Sequence, residues 1–533
     1  MTFGDVDRPV RPMASSGDAS MHDQAAKLRE QIIARGEEVR TLRASKSEHD
    51  ATAAAAALGA LLDLKAQYEK LTGEEYRKSN RKNKRGRTEE AAAPDGADGT
   101  SSSTMPTSNT NPGRRPKQLK IPKPKKDDPE LMVDPMALPP APETFPTWSP
   151  RDFFKFEVIH RSKKPGSRAR VGRITTPHGI IETPAFVPVG TNAALKCLDE
   201  RHAREADVRL MFCNTYHLLV HPGPKIVEGA GGLHKWMGHE GALITDSGGF
   251  QVFSLAEPNP DEDGPEMKCK SKTRTAREDG SASLLSVNER GAIFRSYHDG
   301  RMIELTPESS VQAQKSLGAD IIIPLDELPP YHITRERLHA SVRLSHRWMA
   351  RSLREHLSDP RDQAMYAVVH GGTDEELRGE SAAYLSSLPF DGFAIGGSLG
   401  KDRAEMLELL KFLMPRLPEN KPNHLLGIAD PESAESVVPF GIDTMDSCNP
   451  TRIARHGLLL GSDGPIKIKQ LKYESDYGPI DAKVQTIPNS RSYLHHLFKQ
   501  HEPLFMTLAS QHNLLFMNAL MADLRRRIMA DEV

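Results

Sequence analysis

Three aspartates end short apolar runs: Asp246 in GALITDSGG, Asp326 in ADIIIPLDE and Asp446 in GIDTMDS. A carboxylate in such a place either caps the helix that follows or projects into a site shared with the ends of other strands. If the three converge, one can attack an electrophilic carbon while another moves the proton on the departing or arriving group, as at the anomeric carbon of a sugar. That would be glycosyl chemistry. Spacing alone leaves capping open at each position. Gly248 and Gly249 follow Asp246, and Gly396 and Gly397 follow FDGFAI. They remove side chains where backbone must pass close to a ligand or take positive φ, which a tight turn also requires. Phe250 is an aromatic available to stack on a planar base, or else to pack.

The elements that would position these residues are βα repeats. Seven β-rich runs, GALITDSGG, ADIIIPLDE, AMYAVVHGG, FDGFAIGG, HLLGIAD, GIDTMDS and GLLLGSDG, alternate with helical stretches. Each carries Asp, Glu, His or Gly at or next to its end. A doubly wound sheet also gives βαβα, but its site uses one switch point and does not need a polar residue after nearly every strand. The pattern predicts an α/β fold, a (β/α)8 TIM barrel, over residues 151–533.

Ahead of it, Leu28, Ile32, Val39 and Leu42, then Leu58, Leu61, Leu64, Tyr68 and Leu71, recur at helical intervals. They predict an α-helical hairpin over 22–78 with a basic polar face. Residues 79–150, with RKNKRGR and GRRPKQLKIPKPKK, read as a disordered basic linker. Residues 257–285 read as an inserted surface loop.

The chain of 533 residues carries 71 basic and 72 acidic side chains, so any affinity for nucleic acid must come from local clusters. Its four cysteines are widely spaced and form neither a disulfide framework nor a CxxC pair. No apolar run reaches the length of a membrane span, and the start lacks a secretory signal. A soluble protein is expected, cytoplasmic and without membrane contact.

Taken together, TPAFVPVGT, NTYHLLVHPG, TDSGGFQVFSL, FRSYHDGRMIELTPE, AIGG and DSCNPTRIARHG resemble the tRNA-guanine transglycosylases, over about residues 154 to 515. These enzymes exchange guanine at the anticodon wobble position of tRNA for queuine or, in bacteria, a precursor base. The resemblance implies that Asp446 is the nucleophile attacking the ribose C1′ and Asp246 the general acid/base. It makes Asp326 the carboxylate that reads the Watson–Crick side of the base, with Gly397 adding a backbone contact. Asn214 would touch the ribose, and Arg452 would lie beside the active site. Where the family has VQGG this chain has His370 in VVHGG, so the partner of the base is altered and a pH response is expected. Leu328, Ser398, Met445, Ser447 and Cys448 depart from the pattern without removing a carboxylate.

In the family a C-x-C-x2-C run precedes an S-R-A-Y-type helix, and a later histidine completes a zinc site. Here PIDAKVQTIPNSRSYLHHLF has no cysteine, and His512 is the one residue matching a ligand. One imidazole cannot hold zinc, so no cofactor is expected in a C-terminal subdomain of about 464–533. His495 and His496 are neighbours on one helix and point different ways, which makes a substitute site improbable.

The segment GEEVRTLRASKSE with ALLDLKAQYEKLTGEEY resembles the WHEP domain of eukaryotic aminoacyl-tRNA synthetases, which binds tRNA or mediates assembly. The partners implied are tRNA, a guanine or queuine base, and a second transglycosylase-family chain in a homodimer or heterodimer. The alternative function is a catalytically weak tRNA-binding or accessory subunit of a transglycosylase or synthetase complex.

Overall fold

The computed structural model describes residues 133–254 and 284–533, with scattered positions between 24 and 68. It falls into two units, Met1–Gly113 and Arg114–Val533. In the first, described positions between 24 and 35 and between 57 and 68 are helical, with Ile32, Ala57 and Tyr68 buried. The turn expected between those helices lies outside the described residues, as do residues 257–283 of the expected loop.

The second unit is built on eight parallel strands: β1 (Ala185–Pro188), β2 (Leu210–Cys213), β3 (Ala242–Thr245), β4 (Ile321–Ile322), β5 (Ala364–Val369), β6 (Gly392–Ile395), β7 (Asn423–Leu425) and β8 (Thr444–Ser447). Their order is β1-β8-β7-β6-β5-β4-β3-β2. A parallel bridge from Val189 to Phe212 brings the two ends together, giving a (β/α)8 barrel. Strands covered on both faces must be apolar throughout. This is why LMFC, ALIT and AMYAVV are buried at every position.

Six of the seven runs read as βα units supply β3 to β8. The seventh, GLLLGSDG, does not belong to the barrel. Leu458–Leu459 pairs antiparallel with Ile466–Lys467, because β8 already pairs with β1 and leaves no vacant edge. The barrel instead begins with AFVP and LMFC.

A three-stranded antiparallel sheet (Lys155–Arg161, Arg170–Thr176, Gly179–Thr183) is pinned to the N-terminal end of the barrel. Arg170 donates through Nε (2.9 Å) and Nη2 (2.6 Å) to Asp443, which precedes β8. Residues 133–151, most of them within the expected linker, also pack on the barrel. Arg347 donates to the Ala137 carbonyl (2.7 Å), Tyr384 to that of Pro140 (3.0 Å), and Trp148 Nε1 to Asp391 (3.0 Å). Among the described residues no helix is long and apolar enough to cross a membrane.

Candidate active site

The working end of a (β/α)8 barrel is the C-terminal end of its strands, and Asp246, Asp326 and Asp446 all lie there. Asp246 follows β3. Its Oδ2 accepts from Asn214 Nδ2 (2.7 Å) and Gln251 Nε2 (3.1 Å), and its Oδ1 from the amides of Thr215 (2.7 Å) and Gly248 (3.2 Å). Thr215 opens the helix Thr215–Val220 with Asn214 as its N-cap, so Asp246 takes an amide at the start of a helix from another βα unit. Burial still dominates those four bonds and raises the Asp246 pKa above the ordinary carboxylate value.

Asp326 follows β4 and is 5% exposed. Burial, reinforced by the neighbouring charges of Asp246 and Glu327, pushes its pKa up to about 7. Its carboxyl group therefore changes protonation state near neutral pH. Glu327 points the other way, into a bidentate pair with Arg337. Gly249 lies where these two loops meet, since a Cβ there would come within 3.0 Å of the Asp326 carbonyl oxygen. Its smallness serves loop packing.

Asp446 sits within β8 and is 7% exposed. Its Oδ1 accepts from the Gly427 amide (2.8 Å) and faces His424 Nε2 at 3.1 Å. His424 is fully buried on β7, and its ring stacks at 5.9 Å on Phe212, two residues before Asn214. Asp446 is thus linked through His424 and Phe212 to the strand whose end grips Asp246.

His370, at the end of β5, is 1% exposed, and among the described residues its Nε2 has no hydrogen-bond partner. Burial, with the Arg378 charge beside it, lowers its pKa to about 3. The pH response expected of it is absent from the neutral range. Gly397 has φ +73°, and a Cβ there would lie 3.1 Å from that of His370, so the β5 and β6 loops touch at these residues. Arg378 ties them, donating to the carbonyls of Val369 (2.6 Å), Gly372 (2.8 Å) and Ser398 (2.8 Å). Phe250 is 60% exposed on the first turn of Gly249–Ser254, so it is not packed. Arg452 lies on the helix Asn449–Arg455 that follows β8.

Sequence reasoning missed His424, Gly427, Thr215, Gln251 and Arg378. A histidine inside an apolar strand was the available signal for His424. Arg378 gave none, being one more charge on a helix.

The residues where the family's zinc would sit do not fit a metal. His512 is fully buried, with Nδ1 2.6 Å from Thr486 Oγ1 and Nε2 2.7 Å from the Leu460 carbonyl oxygen. Both nitrogens are engaged. His495 is buried and bonds the Ile468 carbonyl (2.7 Å), while His496 is exposed. At the opposite barrel end, His178 and His234 meet Asp320, but their rings stack 3.4 Å apart and 11° from parallel. In-plane lone pairs on parallel rings do not converge on one ion.

A (β/α)8 barrel gathering three carboxylates at its strand ends, one held at a single oxygen and two raised in proton affinity, defines a barrel enzyme equipped for glycosyl transfer. Comparison with known proteins makes the assignment specific. Residues 165–533 match the family model described as queuine tRNA-ribosyltransferase, and residues 28–82 match that of the WHEP-TRS domain. A queuine tRNA-ribosyltransferase of Protochlamydia amoebophila is 54% identical over 383 residues, covering 71% of this chain and 96% of the relative. One from Chlamydia felis is 50% identical, covering 71% and 99%. The chain belongs to the queuine tRNA-ribosyltransferase family and is a pentosyltransferase.

Proposed function

We propose that this chain replaces guanine at the wobble position of tRNA anticodons by queuine, through a covalent glycosyl-enzyme on Asp446. In this reading the Oδ2 atom of Asp446 attacks C1′ of the flipped nucleotide. The C1′–N9 bond breaks, its electron pair passes to guanine N9, and Asp246 delivers the proton that neutralises the leaving base. The incoming base then loses its N9 proton to Asp246 and attacks C1′, and the electron pair of the ester C1′–O bond returns to Asp446. Asp326 accepts from the N–H groups of the base, His370 offers a neutral imidazole to it, and Gly397 adds a backbone contact. Asn214 holds Asp246 and reaches toward the ribose, Phe250 presents a stacking face, and Arg452 stands toward the phosphates. The base must leave the anticodon stack to enter.

The observation that carries this reading is the contrast between the first two carboxylates. Asp446 is held at one oxygen by two nitrogens. Asp246 is raised in pKa despite four hydrogen bonds, as suits a group that must both give and take a proton. The WHEP-like segment would add a second tRNA contact and raise the effective concentration of substrate. Work on tRNA fits the cytoplasm. Tyr493 and His496, exposed on the helix Arg491–Lys499, would meet a second family chain.

The test is single-turnover exchange of labelled guanine into a queuosine-family tRNA, with trapping of the adduct, for the wild-type chain and Asp446→Asn. Exchange and adduct that both vanish in the variant support the reading. Tight tRNA binding without exchange by the wild-type chain would make it an accessory subunit.

A further inference from the structure

Asp446 does not stand alone on β8. His424 Nε2 lies 3.1 Å from its Oδ1, and His424 Nδ1 lies 2.8 Å from the hydroxyl of Thr444, two residues before Asp446 on the same strand. The side chains of His424 and Thr444 are buried, and Phe212 covers the ring. Among the described residues, no protein donor reaches Asp446 Oδ2. We propose that His424 is a positioning residue for Asp446. Its Nε2–H, fixed by Thr444, holds Oδ1, aims Oδ2 at C1′ and receives the charge that returns to the carboxylate when the ester breaks.

The hydroxyl proton of Thr444 has two places to go. It can point to the Asn423 carbonyl oxygen at 3.2 Å, in which case His424 Nδ1 must carry a proton to bond Oγ1. A neutral ring then has only a lone pair at Nε2, facing the carboxylate. Alternatively it donates to Nδ1 at the shorter 2.8 Å, and the ring proton sits on Nε2, where it donates to Asp446. The second arrangement pairs every donor with an acceptor and places no charge on the buried ring. The tautomer of a histidine is set by what its other nitrogen meets, and here that partner is Thr444.

The consequence is asymmetric between the two half-reactions. Donors on Oδ1 favour the carboxylate over the ester. When Asp446 attacks, they orient it but slightly restrain its electron pair. When the incoming base attacks, Asp446 is the leaving group, and negative charge grows on an oxygen that already faces two N–H groups. Losing His424 Nε2–H should therefore slow ester breakdown more than ester formation. A histidine that only filled space would impair both alike.

This inference rests on Asp446 being the nucleophile, so Asp446→Asn is carried in parallel. The experiment uses the full chain and measures kcat, KM for guanine, and the fraction of enzyme trapped on tRNA during turnover, for wild type, His424→Leu, His424→Gln and Thr444→Val. A charge-assisted hydrogen bond is worth about tenfold or more in rate. For His424→Leu, kcat should fall about tenfold, KM should stay within about twofold, and the trapped fraction should rise. His424→Gln, whose amide can place an N–H near the same point, should recover most of the rate. Thr444→Val, which keeps the ring but removes the hydroxyl that sets its tautomer, should shift kcat and trapping the same way by about threefold, and it tests the idea even if His424→Leu does not fold. Wild-type kcat and trapping in His424→Leu, or a loss that His424→Gln and His424→Leu share equally, would overturn the proposal. An adduct that persists in Asp446→Asn would instead overturn the assignment of the nucleophile.

Discussion

The Thr486 hydroxyl meets His512 Nδ1 at 2.6 Å, and that contact joins the segment before the helix Arg491–Lys499 to the long helix Pro503–Met529. Burial lowers the His512 pKa to about 4, so the ring is neutral, with Nε2–H donating to Leu460 and Nδ1 accepting from Thr486. Nearby, Asp481 gathers the amides of Ser462 (2.6 Å), Lys483 (2.8 Å) and Val484 (2.7 Å). These segments are joined by hydrogen bonds over a small apolar cluster that includes Ile480, Ile487 and Leu494.

The first prediction follows from that clasp. Exchange activity and the thermal midpoint should be unaffected by a strong chelator, and elemental analysis of the purified chain should find no stoichiometric zinc. Thr486→Val should destabilise by about 1–2 kcal/mol, because a buried imidazole nitrogen loses its partner. Stoichiometric zinc, or inactivation by the chelator, would show that other residues hold a metal.

The second concerns Asp326. Its pKa of about 7 means that the carboxylate forms as pH rises through neutrality. The N–H groups of a guanine-type base need an acceptor at that edge. Affinity for the base should therefore rise between pH 6 and pH 8, seen as a KM falling by up to about tenfold per pH unit on the acid side. Asp326→Asn should bind weakly and lose this slope. A KM independent of pH in the wild-type chain would contradict the assignment.

His370 gives the third. A ring held near pKa 3 by burial and Arg378 does not titrate in that window, so replacing it should leave the slope in place. His370→Gln restores the side chain of the resembling family and can still present an amide to the base. Its kcat should stay within about threefold of wild type, with the same KM profile against pH. A profile that flattens in this variant would transfer the titration from Asp326 to His370.

How far the site was legible depended on which end of a strand a residue occupied. Asp246, Asp326 and Asp446 come at or after the last apolar residues of β3, β4 and β8, and that placement was visible in the chain. Asp320, Asp391 and Asp443 come just before β4, β6 and β8, and they do structural work, bonding Leu243, Met365 and Asn423 amides at the other end of the barrel. Asp374, Asp402 and Asp430 cap the helices after β5, β6 and β7, the alternative fate considered for the three site residues. β1 and β2 went unrecognised as barrel strands because neither AFVP nor LMFC is followed by a carboxylate or imidazole at its end. Residues 133–150 share the linker's proline-rich composition, and their packing depends on Arg347, Tyr384 and Asp391, about 200 residues or more away. Composition carries no such information.

The last prediction concerns the opposite end of the barrel, where Asp320 joins the N-terminal sheet to the core. Its Oδ1 meets His178 Nδ1 at 2.8 Å, in the turn between the second and third strands of that sheet, and its Oδ2 accepts the Leu243 amide at 2.8 Å. The hydrogen bond and charge of Asp320 raise the His178 pKa, and the same partners with His234 hold Asp320 down to about 2. A histidine raised on folding stabilises fully below its unfolded value of about 6.5, and that stabilisation is lost as pH rises through the folded value. Asp320 acts in the other direction, contributing above its unfolded value and failing only as pH falls toward 2. The contact is therefore strongest between about pH 4 and 6.5. His178→Ala should lower the thermal midpoint more at pH 6 than at pH 9, by an amount corresponding to no more than about 1 kcal/mol for so exposed a histidine. His178→Asn, which keeps a donor but cannot be protonated, should remove the pH dependence of the difference while losing less at pH 9. An equal loss at both pH values for His178→Ala would mean that the ring contributes by packing against His234, whose plane lies 11° from its own, rather than through its charge.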